Sequence, residues 1–106
     1  MTSREKIEEM VRRIVAKFDP EKIILFGSFA RGEAGPDSDA DLLVVMRVSG
    51  SKRSKALEID RALLDIRLAK DVIVVTPEEV ERYQERVGTI IYPALHEGEV
   101  IYERVA

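Results

Sequence analysis

Asp39 and Asp41 stand at the head of an apolar run, Ala40 to Met46, that contains neither Gly nor Pro. Such a run suits a buried strand. Alternate residues of a strand share a face, so the two carboxylates point the same way. At ~4 Å and an effective dielectric of about 20, two like charges repel by about 4 kcal/mol. Packing alone gives no reason to keep that arrangement. A divalent cation removes the conflict, and paired carboxylates with waters and phosphate oxygens are ligands that Mg²⁺ accepts.

Upstream, an apolar run ends at Gly27-Ser28. Gly27 sits where the chain must turn, and without a Cβ it lets the backbone approach a ligand closely. Ser28 offers a hydroxyl and a backbone N–H at the start of a short helical turn, where anions bind well. One loop therefore suits phosphate, and the next strand suits the metal that phosphate carries. Asp71 is the third acid to weigh, at the start of another apolar run, Val72 to Val75. If that strand lies beside Ala40–Met46, its carboxylate reaches the pair. Three acids around two Mg²⁺ ions is an arrangement for phosphoryl or nucleotidyl transfer, and one acid can also take the proton from an attacking hydroxyl. An Asp leading a strand serves equally well to hydrogen-bond a turn.

The elements that must position these residues follow from periodicity and caps. Thr2-Ser3-Arg4-Glu5 reads as a capping box. Ile7, Val11, Ile14, Val15 and Phe18 recur at helical spacing up to Asp19-Pro20, which ends the helix. Strand Lys22–Phe26, the Gly27-Ser28 turn, a helical turn, the loop Gly32–Ser38 and strand Ala40–Met46 come next. Arg47–Ser54 reads as a loop. Lys55–Ala69 is a helix with two apolar stripes, Leu57, Leu64 and Leu68 on one, Ile59, Leu63 and Ile66 on the other. One stripe should cover a sheet, while the other extends the core or meets another protein. Asp71–Val75 is the third strand. Thr76-Pro77-Glu78-Glu79 opens a helix running to about Val87, where Gly88 interrupts it. Thr89–Glu97 is a further helix that Pro93 would kink, with Gly98 as its C-cap. Val100–Tyr102 is a short edge strand.

The chain has 106 residues, which predicts one domain over 1–106 without a separate substrate-binding unit. Charged residues make up 35% and hydrophobic ones 45%, the profile of a globular protein. The net charge of −3 offers no broad surface for direct nucleic-acid binding. With no cysteine, disulfides and thiolate metal sites are excluded. No apolar run is long enough for a membrane span and the first ten residues are charged, so the cytoplasm is the expected compartment.

Taken together, Gly27-Ser28-Phe29-Ala30-Arg31-Gly32 and Ser38-Asp39-Ala40-Asp41-Leu42-Leu43-Val44 resemble the minimal nucleotidyltransferases, the short prokaryotic members of the DNA polymerase β-like superfamily. Chain length, the position of Asp71 and the Thr76-Pro77-Glu78-Glu79 helix start extend the likeness. The resemblance implies an α+β nucleotidyltransferase fold, a mixed three- to four-stranded sheet flanked by helices. It implies that Gly27 and Ser28 hold the β- and γ-phosphates of a nucleoside triphosphate. Asp39 and Asp41 would bind two Mg²⁺ ions and Asp71 would complete the triad. The resemblance also implies an antitoxin role: members of the family are commonly paired with small helical HEPN-type toxins, and family members can transfer AMP from ATP to a tyrosine of that partner. A non-catalytic antitoxin that works by surface contact, and transfer to a small molecule, are the competing readings.

Other residues carry less. Arg31 either neutralises phosphate or pairs with a loop acid such as Glu33 or Asp37, the structural role being slightly favoured. Ser38 caps its turn. Arg47, Lys52, Arg53 and Lys55 form a basic cluster that touches the triphosphate, touches a partner or is a solvated face, the last being favoured. His96 suits the helix dipole at a C-terminus better than catalysis. Tyr83, Tyr92 and Tyr102 read as core or rim aromatics, any one of which could stack on a base.

Overall fold

The computed structural model describes residues 1–35 and 37–105. Its first helix, α1 (Ser3–Phe18), starts where local chemistry demands. The Thr2 hydroxyl accepts from the Glu5 N–H at 3.1 Å, and the Glu5 carboxylate accepts from the Thr2 N–H at 2.8 Å. Both donors would otherwise be orphaned in the first turn. Ile7, Met10 and Ile14 recur on one face and are buried. Asp19 closes the helix in the left-handed region at φ 48°, which a short polar side chain tolerates.

The chain continues through β1 (Lys22–Phe26), the single turn α2 (Ser28–Arg31), β2 (Ala40–Val45), α3 (Lys52–Ala62), β3 (Lys70–Val75), α4 (Pro77–Tyr83), α5 (Ile91–Glu97) and β4 (Glu99–Glu103). The strands form one sheet in the order β3-β2-β1-β4. β1 runs antiparallel to both β2 and β4, whereas β2 and β3 are parallel. The fold is thus α+β with a mixed four-stranded sheet.

Helices cover both faces. Ile23, Leu25, Leu42, Val44, Val72 and Val74 pack toward α1 and α3. Ile24, Phe26, Leu43, Val45 and Val75 pack toward α4 and α5. Coverage on both sides explains why the central strands read as continuous apolar runs rather than as alternating ones. It also confines polar chemistry to the strand ends.

Several elements differ from expectation. α3 begins at Lys52 and stops at Ala62, seven residues short of Ala69. Cations from elsewhere satisfy the carbonyls at and beyond its end: Arg13 Nη1 donates to Ala62 O (3.2 Å), Lys70 Nζ to Leu63 O (3.2 Å) and Ile66 O (3.0 Å), and Lys6 Nζ to Arg67 O (2.8 Å). The backbone can then turn without orphaned acceptors. Of the two stripes, Ile59, Leu63 and Ile66 enter the core, Leu68 packs against it, and Leu57 and Leu64 remain exposed.

α4 ends at Tyr83 rather than Val87. α5 begins at Ile91, which puts Pro93 in its first turn. An N–H there has no intrahelical partner, so no kink is required. Gly98 is extended, with φ −85° and ψ 173°, and is not a left-handed cap. A Cβ on it would lie 2.2 Å from Ala94 O and 2.9 Å from Leu25 O, so glycine is needed for close packing of α5 on β1. β4 spans Glu99–Glu103, longer than Val100–Tyr102, and lies at the sheet edge as expected.

Candidate active site

Strand pairing brings the singled-out residues to one end of the sheet. Phe26, the last residue of β1, is opposite Asp41 in β2, and Asp41 is in register with Asp71 in β3. The head of β2 is fixed beside β3 by Ala40 N–H, which donates to Ala69 O at 2.8 Å. Asp39 precedes β2 by one residue and is exposed, Asp71 is exposed, and Asp41 is half-buried.

Gly27 follows Phe26 directly and holds φ 75° with ψ −151°, a combination open essentially to glycine. A Cβ at this position would stand 2.2 Å from Asp41 Oδ2. The bend therefore presses its backbone against the carboxylate, and no side chain fits between them. α2 then closes on itself: Arg31 N–H donates to Gly27 O (3.2 Å) and Glu33 N–H to Ser28 O (2.9 Å). Gly32, at φ 72°, reverses the chain. Ser28 is half-buried. Further on, the Ser38 hydroxyl accepts from Gly35 N–H at 2.8 Å, the capping role expected of it. Pro36, within the expected loop Gly32–Ser38, lies outside the described residues.

Electrostatics mark Asp41. Burial first, then Asp71, then Asp39, hold its carboxyl above the ordinary range, while Arg31 pulls the other way. Asp71 therefore acts on Asp41 across the strand pair. Among the described residues, no three acidic side chains are gathered into a ready cation cage. The backbone places the acids together, but the side chains do not converge as the sequence reading expected. Exposed like charges gain by splaying apart until they share a cation. The donor set is all oxygen, which suits a hard cation such as Mg²⁺. The Gly27 cradle also lets backbone and carboxylate meet one ligand together. In donor chemistry, though not in the side-chain geometry of this structure, these residues suit the metal.

Arg31 pairs with Glu33, Nε to Oε1, at 2.5 Å, and lies in the field of Glu97 and Asp41. Glu97 escaped the sequence reading. Only the pairing of β4 on β1, Glu99 opposite Leu25, brings the end of α5 to this corner. Asp60, half-buried on α3 and in the field of both Lys70 and Asp71, was missed because only the packing of α3 on β3 brings it there.

The remaining candidates lie elsewhere. Arg47 follows the far end of β2, six residues and roughly 20 Å from Asp41 along the strand. It pairs with Glu78 (2.9 Å) and Glu21 (3.8 Å), Lys52 with Glu79 (2.5 Å) and Lys55 with Glu58 (3.4 Å). Arg53 is exposed. This is the solvated face that was favoured. His96 Nε2 is 3.3 Å from Gln84 O and 3.5 Å from Glu85, with its ring 4.2 Å from that of Tyr92. It ties α5 to the end of α4 and does not face the acids. Two surface grooves of about 360 and 370 Å³ also lie away from the acids, one between α1 and β4, the other at the opposite end of the sheet.

Known proteins resemble this chain. A family profile described as the nucleotidyltransferase domain matches residues 5–96. A Methanocaldococcus jannaschii protein named as a candidate protein adenylyltransferase is 43% identical over 47 residues, 42% of this chain. The match spans 47% of that relative, about half its length. A crystal structure of a candidate nucleotidyltransferase from Sulfolobus solfataricus superposes with a TM-score of 0.66 at 23% identity, covering 94% of this chain and 79% of the other. A toxin–antitoxin complex crystallised with AMP-PNP gives 0.53 at 20% identity, covering 97% and 75%. A mutant of the toxin–antitoxin pair MntA-HpeT gives 0.51 at 18% identity, again covering 97% and 75%. At such identities the structures establish a common fold. The family match runs from α1 to α5 and so contains the glycine bend and all three acids: the chain belongs to the nucleotidyltransferase domain family.

Proposed function

We propose that this chain, folding as one domain, transfers AMP from ATP to a hydroxyl, that of a tyrosine on a HEPN-type toxin, and thereby acts as its antitoxin. The observation that carries the reading is the register Phe26–Asp41–Asp71 with Gly27 pressed on Asp41 Oδ2. Asp39, Asp41 and Asp71 are the residues that would hold Mg²⁺, which when bound neutralises the polyphosphate and the charge of the transition state. Gly27, Ser28 and Arg31 hold the β- and γ-phosphates. In the reaction the tyrosine oxygen bonds to the α-phosphorus, the bond to the bridging oxygen breaks, and pyrophosphate leaves. Asp71, the more exposed member of the register pair, takes the phenolic proton. Tyrosine has a pKa of about 10, so such help is needed at neutral pH.

The toxin–antitoxin neighbours and the adenylyltransferase relative support an acceptor supplied by a partner. The test is to incubate the protein with the product of its neighbouring gene, labelled ATP and Mg²⁺. The expected result is label on the partner, lost with Asp39→Asn and with Asp41→Asn. Exposed Leu57 and Leu64 favour a second reading, neutralisation by contact alone. Toxin neutralisation that survives both substitutions would establish that reading instead.

A further inference from the structure

Arg31 is the cation that Asp41 feels most directly, yet it is engaged by an acid of its own. The geometry of that engagement is informative. Glu33 Oε1 accepts only the Nε–H, at 2.5 Å. Among the described residues, neither terminal amino group of Arg31 has a hydrogen-bond partner. A guanidinium bound at Nε keeps its Nη1–Nη2 edge for a second anion, the edge that grips phosphate with parallel bonds.

Glu33 is itself placed by the phosphate turn. Its N–H donates to Ser28 O at 2.9 Å, and the reversal at Gly32, φ 72°, brings it back alongside Arg31. The turn that presents Ser28 thus also fixes the acid that holds Arg31. An isolated glutamate beside a polyphosphate site would only repel the ligand. One that immobilises a long cationic side chain offsets that repulsion, because ordering such a side chain on binding is costly.

We propose that Glu33 is a positioning residue: by taking the Arg31 Nε–H, it leaves the terminal edge of that guanidinium aligned for the β- and γ-phosphates of the bound nucleotide. The proposal rests on the nucleotide reading above. Calorimetric titration with ATP in the presence of Mg²⁺, for wild type, Glu33→Ala, Glu33→Gln, Arg31→Ala and the double variant Arg31→Ala/Glu33→Ala, tests it.

Glu33→Ala should weaken ATP binding about threefold to tenfold, the range expected when one side chain must be ordered on binding. Glu33→Gln keeps an acceptor for Nε and should stay within about twofold of wild type. With Arg31 already Ala, removing Glu33 should have no further effect. AMP, which lacks the β- and γ-phosphates, should bind all variants alike. Tighter ATP binding by both Glu33 variants would show that the acid merely repels the ligand, and would overturn the proposal. An unchanged affinity in Glu33→Ala, an equal loss in the Arg31→Ala background, or an equal loss for AMP would overturn it too. Failure of the wild type to bind ATP at all would instead remove the nucleotide reading beneath it.

Discussion

At the scale of single residues, the close contact of Gly27 with Asp41 sets the tolerance of the site. Gly27→Ala must relieve a 2.2 Å approach to Asp41 Oδ2 at φ 75°. Strain of this kind costs about 1–3 kcal/mol. Denaturant titration should show a loss of that size, and nucleotide binding should fall with it. Asp41→Asn should behave differently. The folded protein raises the carboxyl of Asp41 above its ordinary value of 3.8, so ionising it costs more in the folded chain than in the unfolded one. The stabilisation from the neutral form is fully present below pH 3.8 and is lost as pH rises through the folded value. At neutral pH and without Mg²⁺, Asp41→Asn should therefore melt no lower than wild type. The difference should close as the pH falls below the ordinary carboxylate range. A variant that melts well below wild type at pH 7 would mean that Asp41 makes favourable contacts as an anion.

Among the elements, α3 separates what is legible in a sequence from what is not. Its cap at Ser51, whose hydroxyl accepts from Ser54 N–H at 3.2 Å, and its buried stripe through Ile59 are local patterns. Its end is not local, because Arg13, Lys6 and Lys70 come from α1 and β3 to take the carbonyl of Ala62 and those of Leu63 and Arg67 just beyond it. Nothing between residues 60 and 69 announces that stop. Gly98 teaches the same lesson: local reasoning made it a helix cap, while packing against Leu25 and Ala94 is what requires it. The site divides likewise. Asp39, Asp41, Gly27 and Ser28 were readable within one stretch of chain. Asp71 needed the β2–β3 pairing, and Glu97 needed the β1–β4 pairing. The stripe assignment can be checked directly. Leu63→Ala should cost about 2–5 kcal/mol of unfolding free energy because it opens a cavity in the core. Leu64→Ala, on a side chain 75% exposed, should change stability by about 0.5 kcal/mol or less. Equal losses at both positions would contradict the placement of α3.

For the whole molecule, the layering explains where chemistry is possible. With helices on both faces, ionisable groups are left to the strand ends and the surface, and among the described residues no polar or charged residue is buried in the core. No helix among the described residues is long and apolar enough to cross a membrane. At the end of the sheet that carries Gly27, Asp39, Asp41 and Asp71, Asp39 and Asp71 are exposed. The backbone sets Asp41 beside Asp71, and both Asp71 and Asp39 act unfavourably on the charge of Asp41, so binding of a cation there should be linked to folding.

The most direct measurement is the thermal melting of wild type and Asp41→Asn with Mg²⁺ and ATP added together. A ligand at a hundred times its dissociation constant stabilises the folded state by about 2.7 kcal/mol. For a chain of this size that raises the melting temperature by about 10 °C or more. Such a rise in wild type, largely absent in Asp41→Asn, is the predicted result. A wild-type curve unmoved by Mg²⁺ and ATP, or an equal rise in both proteins, would contradict a nucleotide and metal site built on these acids.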